Sequence, residues 1–348
     1  MTKRLMAAAA ALALAPGMAA AQGAVTVYGN IDLGVLTRNH APAGETSTSL
    51  ANGGLAPSIW GVRGAEDLGN GLKAVFNLEG HYAADTGLSD ARLFRRQSNV
   101  GLSSASFGTV LVGNQYSPAI LAYAATDPRG LRENFSALYS WAYNSGALTS
   151  GNNGNHDAGV FLLNAVSYGV TQGQFGIGAA YSVSEGRGAV YSLGATYNGP
   201  VTVSAAWQST NKPGTSDRIS TLYTVGAGYS VGAVTGKVNY LRGVNRNAML
   251  VETSDVGVAG VGVEWKTAAN NTVMAAAYFA KDKNRRSDRT TTWILSDEYT
   301  LSRRTTLYGT LTYASAKSGA TLLTTVVAGG TAASTDTSLL NVGVRHSF

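Results

Sequence analysis

An all-β fold, a 16-stranded antiparallel transmembrane β-barrel, is predicted here by three observations: side-chain alternation of period two along the chain, connections that alternate between short and long, and a final strand ending on an aromatic residue. The last nine residues place Leu340, Val342, Val344, His346 and Phe348 on one face, and Asn341, Gly343, Arg345 and Ser347 on the other. An apolar strand left at a sheet edge would template aggregation, so this one is expected to be paired and covered. Closure into a barrel with lipid outside does both. The strand from Val25 to Val35 is its expected partner.

Lys3 and Arg4, the apolar run from Leu5 to Ala15, and the small residues Ala19, Ala20 and Ala21 form the charged, apolar and cleavage regions of a secretory leader. The expected division is a leader over 1–21 and a barrel domain over 22–348. The apolar run is too short to span a bilayer, and no later stretch approaches about 20 consecutive apolar residues. Export is the expectation.

Composition agrees. Only 13% of residues are charged, with 43 Gly and 7 Pro, and mean hydropathy is +0.01. That describes neither a disordered polymer nor a helical globule. Without cysteine the chain has no disulfide and no thiolate metal site. Of the formal charge of +6, Lys3 and Arg4 supply two, and the remaining bases are scattered. Nucleic acid is not an expected partner.

The alternation runs from end to end. Val25, Val27, Ile31, Leu33 and Val35 oppose Tyr28, Asn30, Asp32 and Gly34; Leu72, Ala74, Phe76 and Leu78 oppose Lys73, Val75, Asn77 and Glu79; Val261, Val263 and Trp265 oppose Gly260, Gly262 and Glu264. In a membrane barrel the apolar face points outward, and aromatic residues such as Tyr229, Trp265, Tyr313 and Phe348 gather near strand ends. Short links fall at Gly69–Gly71, Ser104–Phe107, Thr171–Gln174, Gly199–Pro200, Ser230–Ala233, Ala268–Asn271 and Ser302–Arg304. Long ones lie near 39–56, 83–91, 116–159, 184–188, 210–217, 244–254, 283–291 and 316–335. Seven short turns and eight long loops require sixteen strands. An even count, with short links on one side and long loops on the other, is the outer-membrane layout.

The segments VTVYGNIDLGV, WGVRGAEDLGNGLKAVFNLE, RQSNVGLSS, FGTVLVGNQY, YTLSRRTTLYGTLTY and NVGVRHSF carry a resemblance that covers nearly all of the chain after the leader. They resemble the general diffusion porins of Gram-negative bacteria, in particular the betaproteobacterial type. The resemblance implies a homotrimer of barrels in the outer membrane, each pore narrowed by the third extracellular loop folding inward. It also implies passive diffusion of small hydrophilic solutes and ions without a cofactor, and reading of Phe348 by the barrel-assembly machinery.

The link from Tyr116 to Gly159 is much the longest, and long structureless loops are usually functional or disordered. Its aromatics, Tyr123, Phe135, Tyr139, Trp141 and Tyr143, predict that it is packed, and Asp127, Arg129, Arg132 and Glu133 offer a constriction charges of both signs. The Gly- and Asn-rich tail from Gly146 to Asn155 is expected to be mobile. Strand phase directs Asp32, Arg38, Arg63, Lys73 and Arg95 to the lumen as pore-wall residues. Arg96 takes the outward phase, which costs roughly 2–4 kcal/mol at the membrane midplane, so it needs a bulge that turns it inward or a polar subunit interface.

Many members of the resembled family have arginine where this chain has Ile59 and Asn114. With two positive charges fewer, weak selectivity with anions slightly favoured is expected. A substrate-specific channel of the same fold is the alternative; a surface adhesin barrel lacks the long repetitive passenger. No catalytic constellation is found: His40, His81, His156 and His346 are far apart, HExxH and GxSxG are absent, and Glu66 with Asp67 lead into a tight turn.

Overall fold

The computed structural model describes residues 24–40, 45–89, 92–144, 159–183, 185–186, 188–316 and 336–348. The leader over 1–21 and the tail from Gly146 to Asn155 therefore lie outside the described residues, as does most of the link at 316–335.

The chain opens with β1 (Ala24–Arg38), β2 (Ser47–Asn52), β3 (Ile59–Gly69), β4 (Leu72–His81), β5 (Gln97–Ser104) and β6 (Gly108–Tyr116). Two helices follow, α1 (Pro118–Thr126) and α2 (Leu138–Asn144). The wall resumes with β7 (Phe161–Gln172), β8 (Phe175–Ser182), β9 (Val190–Asn198), β10 (Val201–Asn211), β11 (Arg218–Val231) and β12 (Val234–Arg246). It is completed by β13 (Glu252–Ala268), β14 (Asn271–Asp282), β15 (Arg289–Thr300), β16 (Thr305–Ala316) and β17 (Asp336–Ser347).

Every pairing is antiparallel, and β17 returns to β1 with Asp32 opposite Arg345 and Val35 opposite Val342. The end of the chain is tied in as well. Gly29 and Phe348 exchange backbone hydrogen bonds of 3.2 and 3.1 Å. Among the described residues this pairing of β17 with β1 closes the sheet on itself, so neither terminal strand is left as an edge.

The 17 strands form 16 barrel positions, because β2 and β3 share one. The far half of β1 pairs with β2, Arg38 opposite Ser47, while its near half pairs with β3, Val27 opposite Val62. The link expected at 39–56 thus contains a strand. Ser47–Asn52 reads STSLAN, with one large apolar residue, so alternation could not announce it.

Burial follows the expected phase on the last strand: Val342 and Val344 are exposed on the lipid side, while Thr337, Leu339 and Asn341 are buried inside. All seven short turns stand where the spacing put them. At the first, Asn70 and Gly71 both have positive φ, 53° and 75°, the backbone a tight hairpin requires. At Gly113, φ is 126° and an added Cβ would lie 2.2 Å from the Ser98 carbonyl oxygen, where the β6–β7 register shifts. Only glycine fits that bulge.

The outward phase expected for Arg96 is corrected. β5 begins at Gln97, so Arg96 precedes the strand and escapes its alternation. Its backbone N–H donates to the Glu79 carbonyl at 3.1 Å, and its side chain is buried against lumen-facing Glu79.

Candidate functional site: the barrel lumen

Apolar residues in the lumen phase locate what fills the barrel. Leu222, Leu241, Val256, Val258, Ile294 and Leu339 violate the rule of apolar outside and polar inside, and all are buried. They meet Ile120, Tyr123, Phe135, Leu138 and Trp141 of the long link in one cluster. The segment from Ser117 to Trp141 therefore lies along the inner wall, and its aromatics are packed, as their number suggested. Tyr123 and Trp141 have no exposed surface, and their rings lie 5.3 Å apart.

Local sequence starts the segment and wall contacts fix its course. Ser117 caps α1, its Oγ accepting from the Ile120 N–H at 3.1 Å, and Pro118 sits in the first turn where no N–H is needed. The Ala119 N–H donates to Ser192 Oγ on β9 at 3.1 Å, and Thr126 shares a 2.6 Å hydroxyl bond with Ser204 on β10. Glycine on the wall lets the helix approach. A Cβ at Gly194 would stand 2.1 Å from the Pro118 carbonyl oxygen.

Beyond α1 the charges expected at a constriction come together as anchors. Asp127 is fully buried and accepts from the N–H groups of Arg129 at 3.0 Å and Leu131 at 2.9 Å. It also accepts from the Tyr278 hydroxyl at 3.1 Å and from the Asn239 amide at 3.5 Å. Desolvation outweighs these donors and pushes the carboxyl up from the ordinary carboxylate range. Arg129 is buried too, donating to the Phe135 carbonyl at 3.0 Å and to Ser296 on β15. Burial, with Arg132 close by, brings its guanidinium down to about 10, so it stays charged at neutral pH. Arg132 forks onto Glu298 with two bonds of 3.0 Å and keeps about a quarter of its side chain exposed, at 26%. Glu133 is buried where the segment reaches the β2–β3 connection, its N–H donating to the Leu55 carbonyl at 3.4 Å. Of these four, Arg132 alone presents appreciable charge to the lumen; Asp127, Arg129 and Glu133 hold the segment in place.

The wall charges divide similarly. Asp32 faces inward but has no exposed surface. Its carboxylate accepts from the N–H groups of Gly54 at 3.2 Å, Leu55 at 2.7 Å and Ala56 at 2.7 Å, and from the Tyr308 hydroxyl at 2.6 Å. As a pore-wall charge it is corrected to an anchor that folds the β2–β3 connection inward. Arg63 is exposed, over the Tyr28 ring at 4.9 Å. Lys73 is exposed toward the short-turn end, and Arg38, at the long-loop end, donates to Ser47 Oγ at 3.1 Å. Half-buried Arg95 lies beside Asn114, whose amide donates to the Arg95 carbonyl at 2.7 Å. Tyr116 accepts from Arg96 at 2.6 Å and packs on Phe161, ring centroids 4.5 Å apart.

Sequence reasoning passed over Glu79, Lys237, Glu264, Glu298 and Arg345. Strand pairing places each of them in the lumen phase. Glu79, Glu264 and Arg345 sit on polar faces the alternation already displayed, which was the available signal; Lys237 and Glu298 take the lumen phase on strands whose faces had not been set out. Among the described residues, no group of three His, Cys, Asp or Glu is placed to hold a metal ion.

Comparisons agree with this geometry. Residues 8–319 match the model of the Gram-negative porin family. Outer membrane porin protein 32 of Delftia acidovorans is 32% identical over 366 residues, covering 97% of this chain and 98% of its own. An outer membrane porin protein of Bordetella pertussis is 34% identical over 203 residues, 53% of this chain and 49% of its own. Among solved structures, an anion-selective porin from Comamonas acidovorans superposes with a TM-score of 0.81 at 24% identity, over 94% of this chain and all of that one. A Vibrio cholerae outer membrane protein solved in a trimer form gives 0.68 at 15%, over 94% and 99%. A closed barrel with a segment lodged in its lumen and a family match over most of its length belong together: this chain is a member of the Gram-negative porin family, an outer-membrane porin.

Proposed function

We propose that the lumen passes small hydrophilic solutes and ions by passive diffusion, narrowed by the segment from Ser117 to Trp141, with anions slightly favoured. One asymmetry carries the preference. The wall anions Asp32 and Glu79 are buried and occupied by donors and Glu298 is held by Arg132, leaving half-buried Glu264 and exposed Asp67, opposite Lys73, against the cations Arg63, Lys73, Lys237 and Arg345. Poorly screened charge at a narrow point sets selectivity, and here the accessible charge is mostly positive. Ile59 and Asn114 stand where relatives commonly carry arginine, which keeps the preference weak.

In a planar bilayer with a KCl gradient, the reversal potential is expected to have the small sign of an anion-favouring pore, and Arg63→Glu to reduce or invert it. A clear cation preference in the unmodified protein contradicts the reading. Trimeric assembly, supported by the family resemblance, should appear in the same recordings as conductance steps in threes.

A leader over 1–21 and recognition of Phe348 by the barrel-assembly machinery complete the proposal. Phe348 closes the β1–β17 seam by its backbone while its exposed ring stays available to a partner. Deleting Phe348 is expected to reduce folded porin in the membrane fraction; normal accumulation of folded trimers would remove the assignment.

A further inference from the structure

The outward face of β12 to β15 gathers cations at its long-loop end. By strand phase, Arg242, Lys281 and Arg289 point outward there, opposite Tyr223, Gly257 and Lys281 respectively. The connection between β14 and β15 adds Lys283, Arg285 and Arg286, all exposed.

The nearby acids are turned inward or engaged. Asp282 and Asp288 are each 1% exposed. Asp255 is gripped by Arg242 through two bonds of 2.8 Å and lies 3.5 Å from Lys283, and Glu252 accepts the Asn284 amide at 2.9 Å. Lys281, Arg285, Arg286 and Arg289 have no acidic side chain bound to them among the described residues. Backbone bonds from Asp282 to Asp288, 3.0 Å, and from Asp288 to Arg285, 2.8 Å, brace the connection that displays them.

What lies beneath the patch identifies its setting. Phe279 is two residues from Lys281 on the same face, and its ring meets Trp293 edge-on at 5.8 Å. Outward-facing aromatics of this kind mark the level at which membrane hydrocarbon gives way to headgroups. Below them, a concave groove of about 810 Å³ is lined by Val263, Ala275, Ala277, Trp293, Leu311 and Leu340, small side chains between large ones. Cations above an aromatic level, over an apolar groove, match a molecule with phosphates at one end and acyl chains at the other.

We propose that this face binds a phosphorylated lipid of the outer leaflet, its phosphates on Lys281, Arg289 and the basic connection, its acyl chains in the groove. The groove and the patch are on the outside of the barrel, so the site is separate from the solute path. Arg242 and Lys283 are spaced by Asp255; Arg285 and Arg286 supply further charge at the rim.

The test uses the full-length porin refolded in detergent, titrated with bisphosphorylated lipid A or with the same lipid after phosphatase treatment, with bound lipid counted by native mass spectrometry. Phosphate removal is expected to weaken retention more than about tenfold, as is the fourfold variant K281Q/R285Q/R286Q/R289Q, with single-channel conductance unchanged. A control, R303Q/R304Q at the opposite rim, should retain the lipid fully. If the fourfold variant does not fold, Lys281→Gln and Arg289→Gln decide singly, each expected to weaken retention several-fold. Equal retention by the charge variants, equal binding of dephosphorylated lipid, or equal loss in the control would overturn the proposal. So would a change of oligomeric state without loss of lipid, which would make the face a subunit contact.

Discussion

Glu79→Ala is expected to cost the folded barrel about 3–5 kcal/mol, the usual penalty for leaving one partner of a buried ion pair without the other. Glu79 and Arg96 are both nearly inaccessible, and the Nε–Oε1 distance is 2.8 Å. The carboxylate also accepts from the Tyr28 hydroxyl at 2.8 Å, joining β1, β4 and the approach to β5. Without it, Arg96 keeps the Tyr116 hydroxyl and the face of Phe161, 5.0 Å away, but loses the carboxylate that its Nε bonds at 2.8 Å. The change should appear as a lower urea midpoint for the refolded protein, followed by tryptophan fluorescence. Replacing both residues together, E79L/R96L, should recover much of the loss, because the desolvation cost of both charges disappears with them. A single variant as stable as the parent would show that the lumen rehydrates Arg96 freely.

This pair also shows where sequence reading stops. Alternation gave the wall its phase, its turns and its closing strand because period two is a local property that lipid outside and polar groups inside impose on every strand. Arg96 escaped it by lying one residue before β5, a boundary set by where pairing with β4 begins. β2 was hidden because Thr48 and Leu50 are the only sizeable outward side chains it offers, and Ser47–Asn52 is held mainly by backbone pairing to β1. The aromatics of the long link announced that it was packed. The surface it packs on is spread over β8 to β17: Arg132 finds Glu298 across 166 residues of sequence, and Arg129 finds Ser296 across 167. A polar-face residue carries no mark of which distant loop will cover it. One sign was nevertheless present. Val256 and Val258 make the β13 run apolar in the lumen phase as well as the outward one, which a strand between lipid and open water has no reason to be.

Burial accordingly sorts charges that phase alone treats alike. Asp32 and Asp127 have their carboxylate oxygens taken up by donors of the fold, and buried Arg129 is tied through Nε and Nη1, so their removal should disturb shape before it disturbs selectivity. Arg63 and Lys73, which touch little, should do the reverse. Stability and ion preference are thereby assigned to different residues of one wall.

Asp127→Ala is the change expected to alter the pore most. It removes the acceptor shared by two backbone N–H groups, a buried tyrosine and an amide, and leaves those donors in a site without solvent, a cost on the order of 3 kcal/mol concentrated in the lodged segment. The barrel should survive, because its ladders do not pass through Asp127. The segment should not stay seated: single-channel currents are expected to become noisier and larger in the mean, with the heat-modified gel mobility of the barrel unchanged. Acidity acts in the opposite direction. Burial raises the carboxyl's pKa above its unfolded value, so the stability it contributes is fully present below the unfolded pKa, near 3.8, and is lost as pH rises through the folded one. Acidification should therefore quiet the current of the unmodified channel, the Asn239 amide turning its oxygen toward the protonated carboxyl. Asp127→Asn, which keeps an acceptor without the charge, should stay quiet across that range. A parent channel whose noise grows on acidification, or an asparagine variant as noisy as the alanine one, would show that the segment is held elsewhere.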